Sequence, residues 1–144
     1  MPAYDVFHGA VKRGLIKEGW TITADPYFVQ FGGIDQYIDI AAEKLIGAER
    51  GDQHIAIEVK SFTGPSMVTE FHSALGQFLH YRMVLDKEDP DRVLYLAVPI
   101  DAFDSFFTLL FTQTSVQRHG VHLIVYDPES EALVRWIKQR ITES

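Results

Sequence analysis

Asp39, Glu58 and Lys60 are the residues of this chain whose types and spacing suit metal-assisted phosphodiester hydrolysis. That reaction needs an activated water and two neutralised negative charges, one on the phosphorane and one on the leaving oxygen. Hard oxygen ligands holding Mg²⁺ or Mn²⁺ supply both. Asp39 and Glu58 can give one carboxylate each and the Val59 carbonyl a third oxygen. Lys60, two residues from Glu58 and so on the same strand face, can orient the water or stabilise the phosphorane. The alternative is a plain salt bridge between Asp39 and Lys60 across a solvated sheet face.

A β-hairpin must position these groups. The apolar runs Tyr37-Ile38-Asp39-Ile40-Ala41-Ala42 and His54-Ile55-Ala56-Ile57-Glu58-Val59-Lys60 flank Gly47-Ala48-Glu49-Arg50-Gly51-Asp52, a stretch rich in turn formers. Antiparallel pairing with Asp39 opposite Glu58 also sets Ile38 opposite Val59, Ile40 opposite Ile57 and Ala42 opposite Ile55. The apolar pairs then enter the core, and the charged trio stays on the other face. A slip by one residue would bury unpaired carboxylates, so the register is specified by the sequence.

Downstream, Gln77-Phe78-Leu79-His80-Tyr81 lies in a helix that Ser66 or Thr69 can cap and that runs to about Leu85. The four-residue spacing puts Gln77 and Tyr81 on one face. Gln77 can bind metal-bound water or a phosphate, and Tyr81 can fix Lys60 or a phosphate oxygen; otherwise the two are an exposed amide and a core-edge aromatic. The six histidines form no His-x-x-x-His or His-Glu-x-x-His pattern, which argues against zinc. Gly32-Gly33 is followed by no Lys-Ser or Lys-Thr pair, and there is no Gly-x-Ser-x-Gly.

The other elements follow from periodicity and breakers. Asp5 to Glu18 reads as a helix stopped by Gly19, and Trp20-Thr21-Ile22-Thr23 as a strand broken by Asp25-Pro26. Tyr27 to Gly33 is undetermined apart from the Gly32-Gly33 turn. Val93 to Pro99 is apolar throughout and suits a central strand. Asp101 or Asp104 can cap a third helix reaching Thr114, Val121 to Tyr126 is a buried strand, and Glu131 to Ile141 is either strand or helix. Between Phe103 and Phe111 there are more apolar residues than one buried stripe holds, so that helix is either fully covered or an interface between subunits; the interface is the favoured reading.

The 144 residues fit a single α/β domain, with 47% hydrophobic and 23% charged residues typical of a soluble fold. Absence of cysteine fits a reducing cytoplasm, and no apolar stretch nears the roughly 20 residues that span a bilayer. The net charge of −7 opposes a nucleic-acid ligand. It implies weak DNA binding by the chain alone, or a partner that supplies positive surface.

Asp39, then Ile57-Glu58-Val59-Lys60, then Gln77 to Tyr81, in that order, resemble the PD-(D/E)xK nuclease superfamily, especially its RecB-like members with a Gln-x-x-x-Tyr helix. Tyr37-Ile38 stands where the motif's proline would be. The whole chain, from the first helix through Gly19-Trp20-Thr21-Ile22-Thr23 and Asp25-Pro26 to Val134-Arg135-Trp136-Ile137, is similar to the XisH family, named for a cyanobacterial factor controlling excision of the fdxN element. The resemblance implies a restriction-endonuclease-like mixed β-sheet flanked by helices, with an αβββαβ core, over residues 1–144. It also implies a role in DNA rearrangement beside a site-specific recombinase, in association with a companion factor, XisI. Two functions follow: a Mg²⁺-dependent endonuclease or nickase, or a non-catalytic excision factor that binds DNA or protein. Either is expected to act as a homo-oligomer, away from membranes.

Overall fold

The computed structural model describes residues 3–47 and 51–140, with side chains described for residues 6–45 and 51–140. Ala48, Glu49 and Arg50 of the expected turn, and Ile141 at the end of the last expected element, lie outside the described residues. Helix α1 (Ala3–Lys17) buries Ala10, Val11 and Leu15 along one stripe. It ends where Gly19 takes φ +92° and the Trp20 amide reaches back to the Leu15 carbonyl at 3.0 Å, a closure that favours glycine. Strand β1 (Thr21–Ala24) follows, and the cis Asp25–Pro26 peptide separates it from β2.

The undetermined segment is a second hairpin, β2 (Tyr27–Phe31) and β3 (Ile34–Ile38). Its two-residue turn is Gly32-Gly33, with φ +62° and +91°; positive φ at both positions matches the twist of a tight hairpin. Strands β4 (Ile40–Gly47) and β5 (Gly51–Val59) then pair in the expected register, Ile40 with Ile57 and Ala42 with Ile55. One part of that expectation fails: Asp39 is a bend between β3 and β4, so Ile38 pairs with Tyr27 rather than facing Val59. The bend also turns Ile38 onto the opposite side of the sheet from Ile40.

After β5 come α2 (Met67–Glu88), β6 (Arg92–Pro99), a short α3 (Ile100–Ala102) opening into a π-helical turn over Phe103–Phe107, α4 (Leu110–Arg118), β7 (Leu123–Asp127) and β8 (Ala132–Ile137). Ser66 caps α2, accepting the Thr69 amide at 3.3 Å. Neither Asp101 nor Asp104 caps the third helical run, which starts from Pro99 and breaks at Thr108-Leu109. Ser105 and Thr108 donate back to the Asp101 and Asp104 carbonyls, competing with the regular ladder as hydroxyls in helices do. The last element is a strand.

The main sheet is ordered β1-β4-β5-β6-β7-β8, with β5, β6 and β7 parallel and the other pairs antiparallel. This is a mixed α/β fold. The two crossovers, through α2 and through α3 to α4, cover one face, and α1 covers the other. Both faces of β5 are therefore buried, and the face carrying Glu58 is not the solvated one expected from alternation alone. Of the Phe103–Phe111 segment, Phe103, Phe106 and Phe107 are core, whereas Leu109, Leu110 and Phe111 are exposed.

Candidate metal and phosphate cleft

Asp39 is tied to Glu58 and Val59 by two hydrogen bonds from backbone amides to carboxylates. The Val59 amide donates to Asp39 Oδ2 at 2.8 Å, and the Asp39 amide donates to Glu58 Oε1 at 3.3 Å. The bend is what permits this exchange: β4 leaves the ladder at Ile40, and the Asp39 carboxylate takes over the donor that a further strand residue would have met. Lys60 Nζ lies 3.3 Å from Glu58 Oε2. Lys60 thus pairs with Glu58.

Lys60 is fixed at its backbone as well. Its amide donates to the Ala97 carbonyl at 2.9 Å, and its carbonyl accepts the hydroxyl of buried Tyr126 at 2.9 Å. Beyond it the chain turns out of the sheet through Phe62, a buried aromatic with φ +51°. A bulky residue in that region costs on the order of 1–3 kcal/mol, which its packing against Phe106 and Phe107 offsets.

These groups open onto a cleft of about 350 Å³ at the carboxyl end of β5, also lined by Ser61, Glu70 and Ser73. Ligands of open α/β sheets bind at that end of the parallel strands. Glu58 is only 6% exposed, and its pKa is raised to about 7 by burial and then by the neighbouring Asp39, against the lowering effect of Lys60. Tyr81 is buried beside the same carboxylates; burial first, then Glu58 and Asp39, push its hydroxyl up to about 12. It donates to the Tyr37 carbonyl at 3.3 Å, two residues before Asp39, and not to Lys60.

The fold thus brings Asp39, Glu58, Val59 and Lys60 into one cleft and sets Tyr81 behind the bend. Gln77 does not line the cleft; its amide oxygen is buried without a hydrogen-bond partner. Glu70 and Ser73 were missed in the sequence, although residues 70, 73, 77 and 81 follow one helix face and could have been found by extending the Gln77-to-Tyr81 stripe. Tyr126 left no signal, since it reads as an ordinary aromatic in a buried strand.

The donor set suits a hard divalent cation. Among the described residues no three Asp, Glu or His side chains converge on one point, so the protein offers two carboxylates and the carbonyl of Val59, whose amide already faces Asp39. Mg²⁺ is commonly held this way, by one or two carboxylates with waters completing its shell. Burial first and then Asp39 raise the Glu58 pKa, and a cation between the two carboxylates would relieve their repulsion.

Fold and site define a mixed α/β protein with a paired-carboxylate and lysine cleft at the end of a parallel strand. The XisH protein family matches residues 1–134, and the chain belongs to it. An XisH family protein from Nostoc punctiforme PCC 73102 is 44% identical, with 93% of this chain and 100% of that one covered at a TM-score of 0.85. A fdxN element excision controlling factor protein from Anabaena variabilis is 47% identical, covering 93% and 99% at the same TM-score of 0.85. Comparison with proteins of curated function gives no match.

Proposed function

We propose that this protein is an fdxN-type DNA-excision controlling factor whose cleft hydrolyses phosphodiesters with Mg²⁺ or Mn²⁺, on a restriction-endonuclease-like core. The observation that carries this reading is the buried Glu58, bonded through the backbone to Asp39 and paired to Lys60 at the mouth of one cleft. With the inserted β2–β3 hairpin set aside, the order α1, β1, β4, β5, α2, β6 is compatible with an αβββαβ core, and the 47% identical relative is an excision controlling factor. Asp39, Glu58 and the Val59 carbonyl would hold the cation. Bound there, it would lower the pKa of a water and neutralise phosphorane charge. Lys60, anchored at both its amide and carbonyl, holds its ammonium over the carboxylates, where a phosphate oxygen would lie. Tyr81 keeps the Asp39 bend in place through the Tyr37 carbonyl, and the unpartnered amide oxygen of Gln77 would accept a hydrogen bond from water.

A second reading is favoured by the −7 charge: a non-catalytic factor that binds DNA or protein beside a site-specific recombinase and an XisI-like companion. In both readings the protein works in the cytoplasm as a homo-oligomer; among the described residues no helix is long and apolar enough to cross a membrane. Incubation of supercoiled DNA with the purified protein and Mg²⁺ or Mn²⁺, beside Asp39→Ala, separates them. Nicking or linearisation by the wild type alone supports hydrolysis. Equal background from both proteins leaves the accessory role.

A further inference from the structure

We propose that Arg82, Arg118, Lys138 and Arg140 form a groove for the phosphate backbone of double-stranded DNA, at the end of the sheet opposite the acidic cleft. The inference rests on DNA being the ligand in the reading above, but not on hydrolysis.

Among the described residues, four of the lysines and arginines are paired with acids. Lys12 meets Asp25 at 2.8 Å, Arg13 meets Glu131, Lys60 meets Glu58, and Arg92 meets Asp89 at 2.7 Å. By contrast, Arg118, Lys138 and Arg140 are exposed and make no ion pair among the described residues. Arg118 and Arg140 line two adjoining depressions of about 530 and 400 Å³, and Arg82 walls the second. Asp86 is the one acid lining either.

Arg82 is held rigidly, donating to the His119 carbonyl at 2.6 Å and to the Gly120 carbonyl at 2.8 Å with its guanidinium over the Phe78 ring. Lys138 stands close by: after burial, Lys138 and Arg82 are what hold the His122 imidazole neutral, with a pKa of about 4. Three lining cations against one lining acid, with Lys138 beside them, give a local positive field despite the net charge. Phosphate contacts of this kind require no base recognition.

Glu70 at the cleft and Arg82 at the groove lie on the same helix, roughly 18 Å apart along its axis, which is about five base-pair steps of a duplex. The groove would tether DNA while the carboxylate cleft, repulsive without metal, addresses a single phosphate.

Fluorescence anisotropy with a duplex of about 20 base pairs, in EDTA and between about 50 and 200 mM salt, tests the groove without any cleavage. The double variant Arg118→Gln, Arg140→Gln should bind roughly tenfold or more weakly at the low-salt end, with the slope of log affinity against log salt reduced by about 2. Lys12→Gln, a charge loss on the α1 face, should leave the slope unchanged. Equal slopes for wild type and double variant, an equal fall in Lys12→Gln, or no binding by wild type at the lowest salt would each overturn the proposal. Failure of DNA cleavage with the groove effect intact would fault the hydrolytic reading alone.

Discussion

The Asp39 amide donates to Glu58 Oε1 at 3.3 Å, so the two acidic residues are tied together through a peptide group. Their mutual repulsion is built into the folded chain. Glu58 is buried and its pKa rises from 4.5 to about 7, with burial the largest cause. In the unfolded chain the group ionises near 4.5. Between the two values the folded state binds more protons, so the stability associated with protonated Glu58 is complete below about pH 4.5 and is lost as pH rises through about 7.

Glu58→Gln should therefore stabilise the metal-free protein above pH 7 by about 1–3 kcal/mol and flatten its stability between pH 5 and 8. The upper figure is the shift alone, and loss of the Lys60 ion pair reduces it. Urea denaturation at the two pH values measures this. Parallel pH dependences in wild type and variant would mean that Glu58 ionises normally.

A divalent cation should bind Asp39 and Glu58 in competition with that proton. Calorimetric titration with Mn²⁺ should give saturable binding at pH 8 and an affinity that falls about tenfold per unit below pH 7, because Glu58 must ionise to ligate. The Asp39→Ala, Glu58→Ala double variant should give a flat trace. A wild-type affinity that does not change with pH would place the cation elsewhere.

How far the site was legible in the sequence depends on which forces set each part. The β4–β5 register could be read because a one-residue slip inverts every side chain, and Ile40, Ile57, Ala42 and Ile55 tolerate one solution only. The Asp39 bend could not be read, since its cause is the capture of the Val59 amide across the chain, which no local pattern announces. Likewise β2–β3 pairs only with itself, so its alternation has no sheet to match, and its signal was the Gly32-Gly33 turn alone. The burial of Glu58 was missed because alternation assigns faces but does not say whether a second helix layer covers the polar one.

Lys60→Ala should keep Mn²⁺ binding while losing cleavage by about a hundredfold or more, and Lys60→Arg should rescue little, since a planar fork cannot replace a compact ammonium. Tyr126→Phe tests the anchoring of that lysine. Removal of the hydroxyl from the Lys60 carbonyl should cost about 1 kcal/mol of stability and lower kcat without changing KM. In a Lys60→Ala background the same change should leave kcat where it was. If Tyr126→Phe lowers the rate equally in both backgrounds, Tyr126 acts on the fold and not through Lys60.

Self-association is expected through the second half of the Phe-rich segment. Phe103, Phe106 and Phe107 are spent in the core, Phe106 and Phe107 packing edge-to-face on Phe71 and Phe103 stacking on Phe107, so they cannot serve an interface. Leu109, Leu110 and Phe111 are 50%, 83% and 57% exposed and adjacent, and Leu110 contributes nothing to the monomer core that would explain it. A pair of chains related by a two-fold axis would bury this patch on both copies and set two clefts on one duplex. Leu110→Asp should then convert a dimer to a monomer in light scattering while leaving the thermal midpoint of the isolated fold within a degree or two. A wild-type monomer at micromolar concentration, or a dimer indifferent to Leu110→Asp, would assign the contact to another face.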